Sequence, residues 1–515
     1  MRCSTVRFMW LVASVLVASC AAEAAKPTVG TTEESPATQL DPDCGAPDAS
    51  GPGDVGATAF ELRGAVATGG YVFVAAPGSA TVFRVDAKTL KAIAVPVKPA
   101  PMQIAVAPQS GTALVLHEGS SQIGILVAKG SAITTSFVTA DAGFDTIVCA
   151  PDSPYAIAYR DFDLPGATNI GLQSVAVIAL TNGVAQVRHA SVGFRPRDVL
   201  FAAGGRALVI TDDGVSVIDL AGAKEGVIAA PRPIALDTPP SQVRDVIGAG
   251  QGAWVLQRTQ YRDYLQALHV SSGTTVKIPL GSVPTDMRAI PGNDGLVLVA
   301  LGQADELAVV SLPASPTETI SPASHIALGN GGADLIRLTD DGKGAVLFSS
   351  AANKSSITYV DLPTFHVTQV PLHKAVTDVG LSADGRVAVV IHKPGTATSS
   401  GVDDASIAKG HGYSLVSLDS GFTKLVLTTA MPAGVNFLGT RAFLTVPGTA
   451  TSPATLHVVS LSSFESTVVP LTGNPAEVVA VKPAGLLALV FAGPSGNLAL
   501  FDPQSSMLTA APLAP

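Results

Sequence analysis

From about residue 58 to the C-terminus, short apolar runs rich in Val, Leu, Ile and Ala recur, separated by Gly, Pro, Asp-Gly and Ser clusters. Runs of roughly four to eight residues bounded by turn formers predict β-strands. No stretch holds apolar residues at spacings of three and four over a dozen positions, so few helices are expected. Before residue 58 the texture differs. Ala21 to about Ala57 is rich in Ala, Pro, Thr, Gly and acids and has no apolar period. Such a segment cannot bury enough surface to offset its ordering entropy, which predicts a flexible tether over 20–57.

The runs repeat as a unit. Asp378 to His392 aligns with Asp334 to Phe348, and Tyr413 to Leu427 aligns with Ile357 to Pro371. Each unit reads strand, Asp-Gly-type turn, strand, loop, strand, turn, strand. The turn glycines supply the positive φ that tight hairpins need. Equivalent opening positions fall at Glu61, Gln103, Asp145, Asp198, Asp245, Asp286, Asp334, Asp378, Asn436 and Glu477, at intervals of 41 to 58 residues. That is the span of a four-stranded propeller blade. The expected fold is therefore an all-β propeller of four-stranded antiparallel blades over 58–515, with about ten repeat units (7–10 blades). No linker divides the units, which favours one continuous ring. Two smaller rings, an over-counted terminal unit or a pair of β-sandwiches are the alternatives.

These repeats resemble the YVTN-type and related bacterial propeller families. The likeness is carried by the Asp-Gly turns at 213–214, 341–342 and 384–385, and by third-strand patterns such as Val82 to Leu90. It implies a fold far more than a function.

The N-terminus suggests an address. Arg2 and Arg7 precede an apolar run from Phe8 to Ala18, too short for the ~20 residues of a membrane span but suited to a secretory signal over 1–19. Val17-Ala18-Ser19-Cys20 resembles a bacterial lipobox. The resemblance implies cleavage before Cys20, lipidation of its thiol, and attachment to the cell envelope by lipid alone. Ala21, in place of an aspartate, points to the outer membrane. Ordinary cleavage near Ala22 to Ala25 is the alternative. Of the remaining cysteines, Cys44 and Cys149 could bridge in an exported compartment, though Cys149 sits in an alternating run that suits a buried thiol.

The formal net charge is −9, and cleavage before Cys20 makes it more negative. A chain this acidic and only 14% charged does not fit a nucleic-acid binder. No zinc-binding His-Glu-x-x-His, phosphate-binding loop or nucleophile elbow occurs. No cofactor and no catalytic residue is assigned. Of the ten opening residues, eight are acids that sort to one face around the channel mouth. A hard cation could use carboxylates there, namely Asp145, Asp198, Asp245, Asp286, Asp334 and Asp378. The favoured role is structural, each accepting backbone N–H bonds from a neighbouring blade. On the same face, three connections between second and third strands read as long and dissimilar. They are 160–169, with Arg160, Asp161 and Asp163; 258–264, with Arg258, Tyr261, Arg262 and Tyr264; and 393–412, with Asp403, Asp404 and His411. Asp161, Asp163 and Asn169 lack the EF-hand spacing for calcium. The expected function is a lipid-anchored scaffold presenting these loops to an envelope protein or glycan. A hydrolase or lyase of lactonase type, using a channel-mouth metal, is the alternative.

Overall fold

The computed structural model describes residues 61–513 apart from 109–110, 130–131, 142, 152, 165–169, 182, 203–204, 221–231, 235–242, 251, 316, 330–331, 352–353, 395–406, 408 and 492–495. The signal and tether expectations, with Cys20 and Cys44, lie outside the described residues. Thr58–Pro515 forms one compact unit.

Forty strands in this unit make ten four-stranded antiparallel sheets, each built from four consecutive strands in sequence order. They are blades 1 (63–96), 2 (101–139), 3 (146–191), 4 (198–234), 5 (243–279), 6 (286–327), 7 (335–371), 8 (376–428), 9 (435–470) and 10 (475–510). The apolar runs are the second and third strands, which neighbours cover on both faces. Thr112–His117 and Val387–His392, both second strands, are buried at every position. Fourth strands form the rim and alternate, as in Ala132–Thr139.

Ten apolar clusters hold the blades together, one at each junction between neighbours. One joins blade 10 to blade 1, packing Val481, Ala488, Val490 and Leu498 against Leu62, Val72, Val74 and Phe83. The first strands of these two blades also lie side by side. The ring thus closes by side-chain packing with no strand exchanged between the two ends of the domain. This is a single closed ten-bladed propeller, which removes exposed sheet edges except at the short outer strands.

Two turn assignments separate. Asp341-Gly342 and Asp384-Gly385 join first to second strands, with φ of 69° and 68° at the glycines. Asp213-Gly214 instead joins the second and third strands of blade 4, on the opposite face. The dipeptide marks a tight turn in each case without saying which connection it makes.

Candidate functional site

The opening residues begin the first strands, which line the channel. In blades 2, 5, 8 and 10 the ladder between first and second strands shifts register immediately before them, at Pro101/Gln103, Val243/Asp245, Val376/Asp378 and Pro475/Glu477. Such a bulge re-aims the following side chain. At several junctions the result is a tie between blades. Gln103 Oε1 accepts the Ile147 N–H of blade 3 (2.8 Å). Asp286 accepts the Ile336 N–H of blade 7 (2.8 Å). Glu477 accepts the Gly64 and Ala65 N–H groups of blade 1 (2.8 and 2.6 Å). Asp378 pairs with Arg337 of blade 7 (2.8 Å).

Asp145, Asp245 and Asp334 are held within their own blades. Asp145 receives Arg160 Nη1 and the Asp161 N–H. Asp245 receives Arg258 Nε (2.8 Å) and Nη2. Asp334 receives the Ser349 hydroxyl, and Asp198 the Val199 N–H (2.8 Å). Burial pushes the Asp286 carboxyl up, partly offset by Arg288 and two backbone N–H bonds. Among the described residues, no three His, Cys, Asp or Glu side chains come together to hold a metal.

Strand 2–3 connections open on the same face as these acids. Those of blades 1, 2, 5 and 6 span four residues, and that of blade 4 spans two. Blade 3 has 160–173 and blade 8 has 393–410, far longer than these. The segment 258–264 differs from its expected form. Arg258 lies in the second strand, Trp254–Thr259, and Tyr264 opens the third, Tyr264–His269, leaving a loop of only 260–263. Arg258 also donates Nη1 to the Pro284 carbonyl (3.0 Å) and so bonds through each of its three nitrogens between blades 5 and 6. Tyr264 carries Lys277 over its ring (5.2 Å). Tyr261 and Arg262 remain exposed.

At blade 3, the Asp161 carboxylate accepts the Asp163 N–H (3.0 Å) and is fully buried. Asp163 pairs with Arg197, which also holds Asp212. Burial opposes the Arg197 charge, but the bonds and charges of Asp212 and Asp163 outweigh it and raise its pKa. Asn169 lies outside the described residues. Arg197 and Asp212, which fasten this loop to blade 4, carry no sequence signal that marks them.

At blade 8, His411 is the first residue of the third strand, paired across the ladder with Thr428. Asp403 and Asp404 lie outside the described residues. Lys374, in the blade 7–8 connection, is buried and donates to the Ile407 carbonyl. Burial lowers its pKa. Lys393 donates to Ser350 O (2.9 Å). Both lysines tie the root of this loop to neighbouring backbone.

No family model matches the chain, and no curated protein matches it. Solved structures do. A eukaryotic initiation factor is similar at 10% identity and a TM-score of 0.50, over 81% of this chain and 97% of that one. AztD from Citrobacter koseri is similar at 11% identity and a TM-score of 0.41, over 79% and 96%. A dihydro-heme d1 dehydrogenase is similar at 14% identity and a TM-score of 0.40, over 70% and 73%. At these identities the likeness is one of fold, and the class reached is that of the β-propellers.

Proposed function

We propose that this chain is a lipid-anchored binding scaffold of the bacterial cell envelope, of the YVTN-like propeller kind. One face, carrying the blade 3 and blade 8 loops, would receive a protein or glycan partner. The observation that supports this most is the placement of those loops. Blades 3 and 8 are five steps apart in a ring of ten, so the strands that carry the connections 160–173 and 393–410 stand in opposite blades. Most other strand 2–3 connections on that face are short. A rigid ring with long insertions in two opposite blades would give a partner two separated contact regions, and rigid scaffolds of this kind gather function on such loops. Recognition would proceed by surface complementarity, with no bond made or broken. Export and anchoring through Cys20 follow from the N-terminal pattern and place the domain where such partners occur.

The test is affinity capture from envelope extract with Thr58–Pro515 as bait. Three variants replace 161–172, 394–410, or both by short turns. A partner held by the unaltered domain, weakened by each single replacement and lost with both, supports the proposal. The same proteins captured by all four baits would sink it.

A further inference from the structure

The outermost strand of each blade presents one row of backbone N–H and C=O groups that its own sheet does not use, and such a row is a template for another strand unless it is guarded. Nine of the ten edges are guarded by proline, by charge, by polar positions or by shortness. Those of blades 1, 4, 5, 7 and 9 carry a proline within or at the end of the strand. That of blade 3 carries Arg188 and His189, and that of blade 2 has Thr134, Thr135 and Ser136 at its centre. Those of blades 6 and 10 are only four residues long. Blade 8 differs. Its outer strand, Thr423–Thr428, has six residues, no proline, and the apolar run Leu425-Val426-Leu427. Its one charge does not guard the edge, because Lys424 Nζ turns back to the Phe464 carbonyl of blade 9 (2.8 Å). Leu427 is 46% exposed, and Phe422, just before the strand, is 59% exposed while stacked on Phe464.

The hairpin determines which backbone groups face outward. The Ser417 N–H donates to the Phe422 carbonyl (2.9 Å). Hydrogen-bonded pairs then recur at every second residue, at Leu415↔Lys424, Tyr413↔Val426 and His411↔Thr428. The N–H and C=O groups of Thr423, Leu425 and Leu427 therefore point away from the blade. We propose that this edge pairs with the same edge of a second copy of the chain, joining two rings side by side as an antiparallel, two-fold dimer. The edge is complementary to itself. With the axis at Leu425, that residue faces its own counterpart and Thr423 faces the counterpart of Leu427, so every outward N–H meets an outward carbonyl. Lys424 faces the counterpart of Val426, and no like charges stand opposite one another. One patch thus serves both subunits, as a closed two-fold interface requires. A strand about 20 Å long with Phe422 beside it makes a small interface, so association is reversible and of roughly micromolar strength. The contact lies on the rim and is independent of the scaffold reading above.

The test is sedimentation equilibrium of Thr58–Pro515, whose ring is closed and whose cores are complete, from about 1 to about 200 μM. Monomer and dimer are expected in proportions that follow concentration, with slower amide exchange over Thr423–Thr428 as dimer accumulates. Leu427→Lys places a charge on the pairing edge and should weaken association by about tenfold or more. Val184→Lys, at a 63% exposed position on the outer strand of blade 3, should leave association unchanged. Thr423→Pro removes an outward N–H and no bond of the hairpin, so it should also weaken the dimer, and it decides should Leu427→Lys fail to fold. A monomer throughout the range would overturn the proposal. So would a dimer with unchanged exchange over 423–428, one of undiminished strength in Leu427→Lys or Thr423→Pro, or one weakened equally by Val184→Lys.

Discussion

Replacing Glu477 by alanine acts on the one seam of the ring that no chain connection crosses. The carboxylate accepts two backbone N–H groups of blade 1 at 2.8 and 2.6 Å, and the substitution leaves both without it. A hydrogen bond to a charged group contributes about 1.5–3 kcal/mol when well sheltered. Here the group is only partly buried, so water replaces some of the loss, and about 1 kcal/mol per bond is the appropriate scale. The expected cost is therefore about 2 kcal/mol, and it falls on opening of the seam before global unfolding. The apolar cluster of blades 10 and 1 remains and keeps the ring closed on average. Hydrogen–deuterium exchange at strands Arg63–Thr68 and Pro475–Val481 is the direct assay. About 2 kcal/mol corresponds to roughly thirtyfold faster exchange there. Gln103→Ala breaks a matching tie between covalently connected blades and should accelerate exchange much less. Unchanged exchange at the seam in Glu477→Ala, or an equal effect from Gln103→Ala, would refute the idea that this carboxylate secures closure.

Other outcomes follow from the same contacts. Burial lowers the pKa of His392 to about 4, so the unfolded chain, titrating near 6.5, takes up the proton first. The stability that His392 contributes is then constant above pH 6.5 and is lost, about 3 kcal/mol in all, as pH drops from there through 4. Denaturant titrations should show this slope, and His392→Gln should reduce it, leaving the smaller part due to the other buried imidazoles such as His117 and His457. Gly342 combines φ +69° with an added Cβ only 2.1 Å from the Pro291 carbonyl, whereas Gly485 has φ +70° and open space. Gly485→Ala should cost about 1 kcal/mol from the left-handed backbone, and Gly342→Ala clearly more, as read from unfolding midpoints. If Cys20 is the lipidated residue, Cys20→Ser in a bacterial host should move the chain from the membrane pellet to the soluble fraction and abolish labelling by a fatty-acid probe. A membrane-bound Cys20→Ser chain would remove the anchor from the account.

Much of the architecture is legible in the sequence because burial on both faces turns second and third strands into continuous apolar runs. The run Val387 to His392 repeats the logic of Gly344 to Phe348. The opening acids are visible for the same reason, standing at a fixed phase to those runs. Their partners are not. Whether an acid ties forward, as Asp286 does, backward, as Asp378 does, or within its blade, as Asp245 does, depends on the pitch between adjacent sheets. The segment 258–264 misleads because strand ends and exposed loops both carry Tyr and Arg. Only the ladder shows that Arg258 is a strand residue facing Asp245.

The central functional claim is that one face of the ring binds and the other does not. It is tested most directly by comparing deuterium uptake of the domain alone and saturated with its captured partner. Protection at 170–175 and 407–412, in opposite blades, with no change at the Asp341-Gly342 and Asp384-Gly385 turns of the other face, is the predicted result. Protection centred on those turns, or along the outer fourth strands, would contradict it.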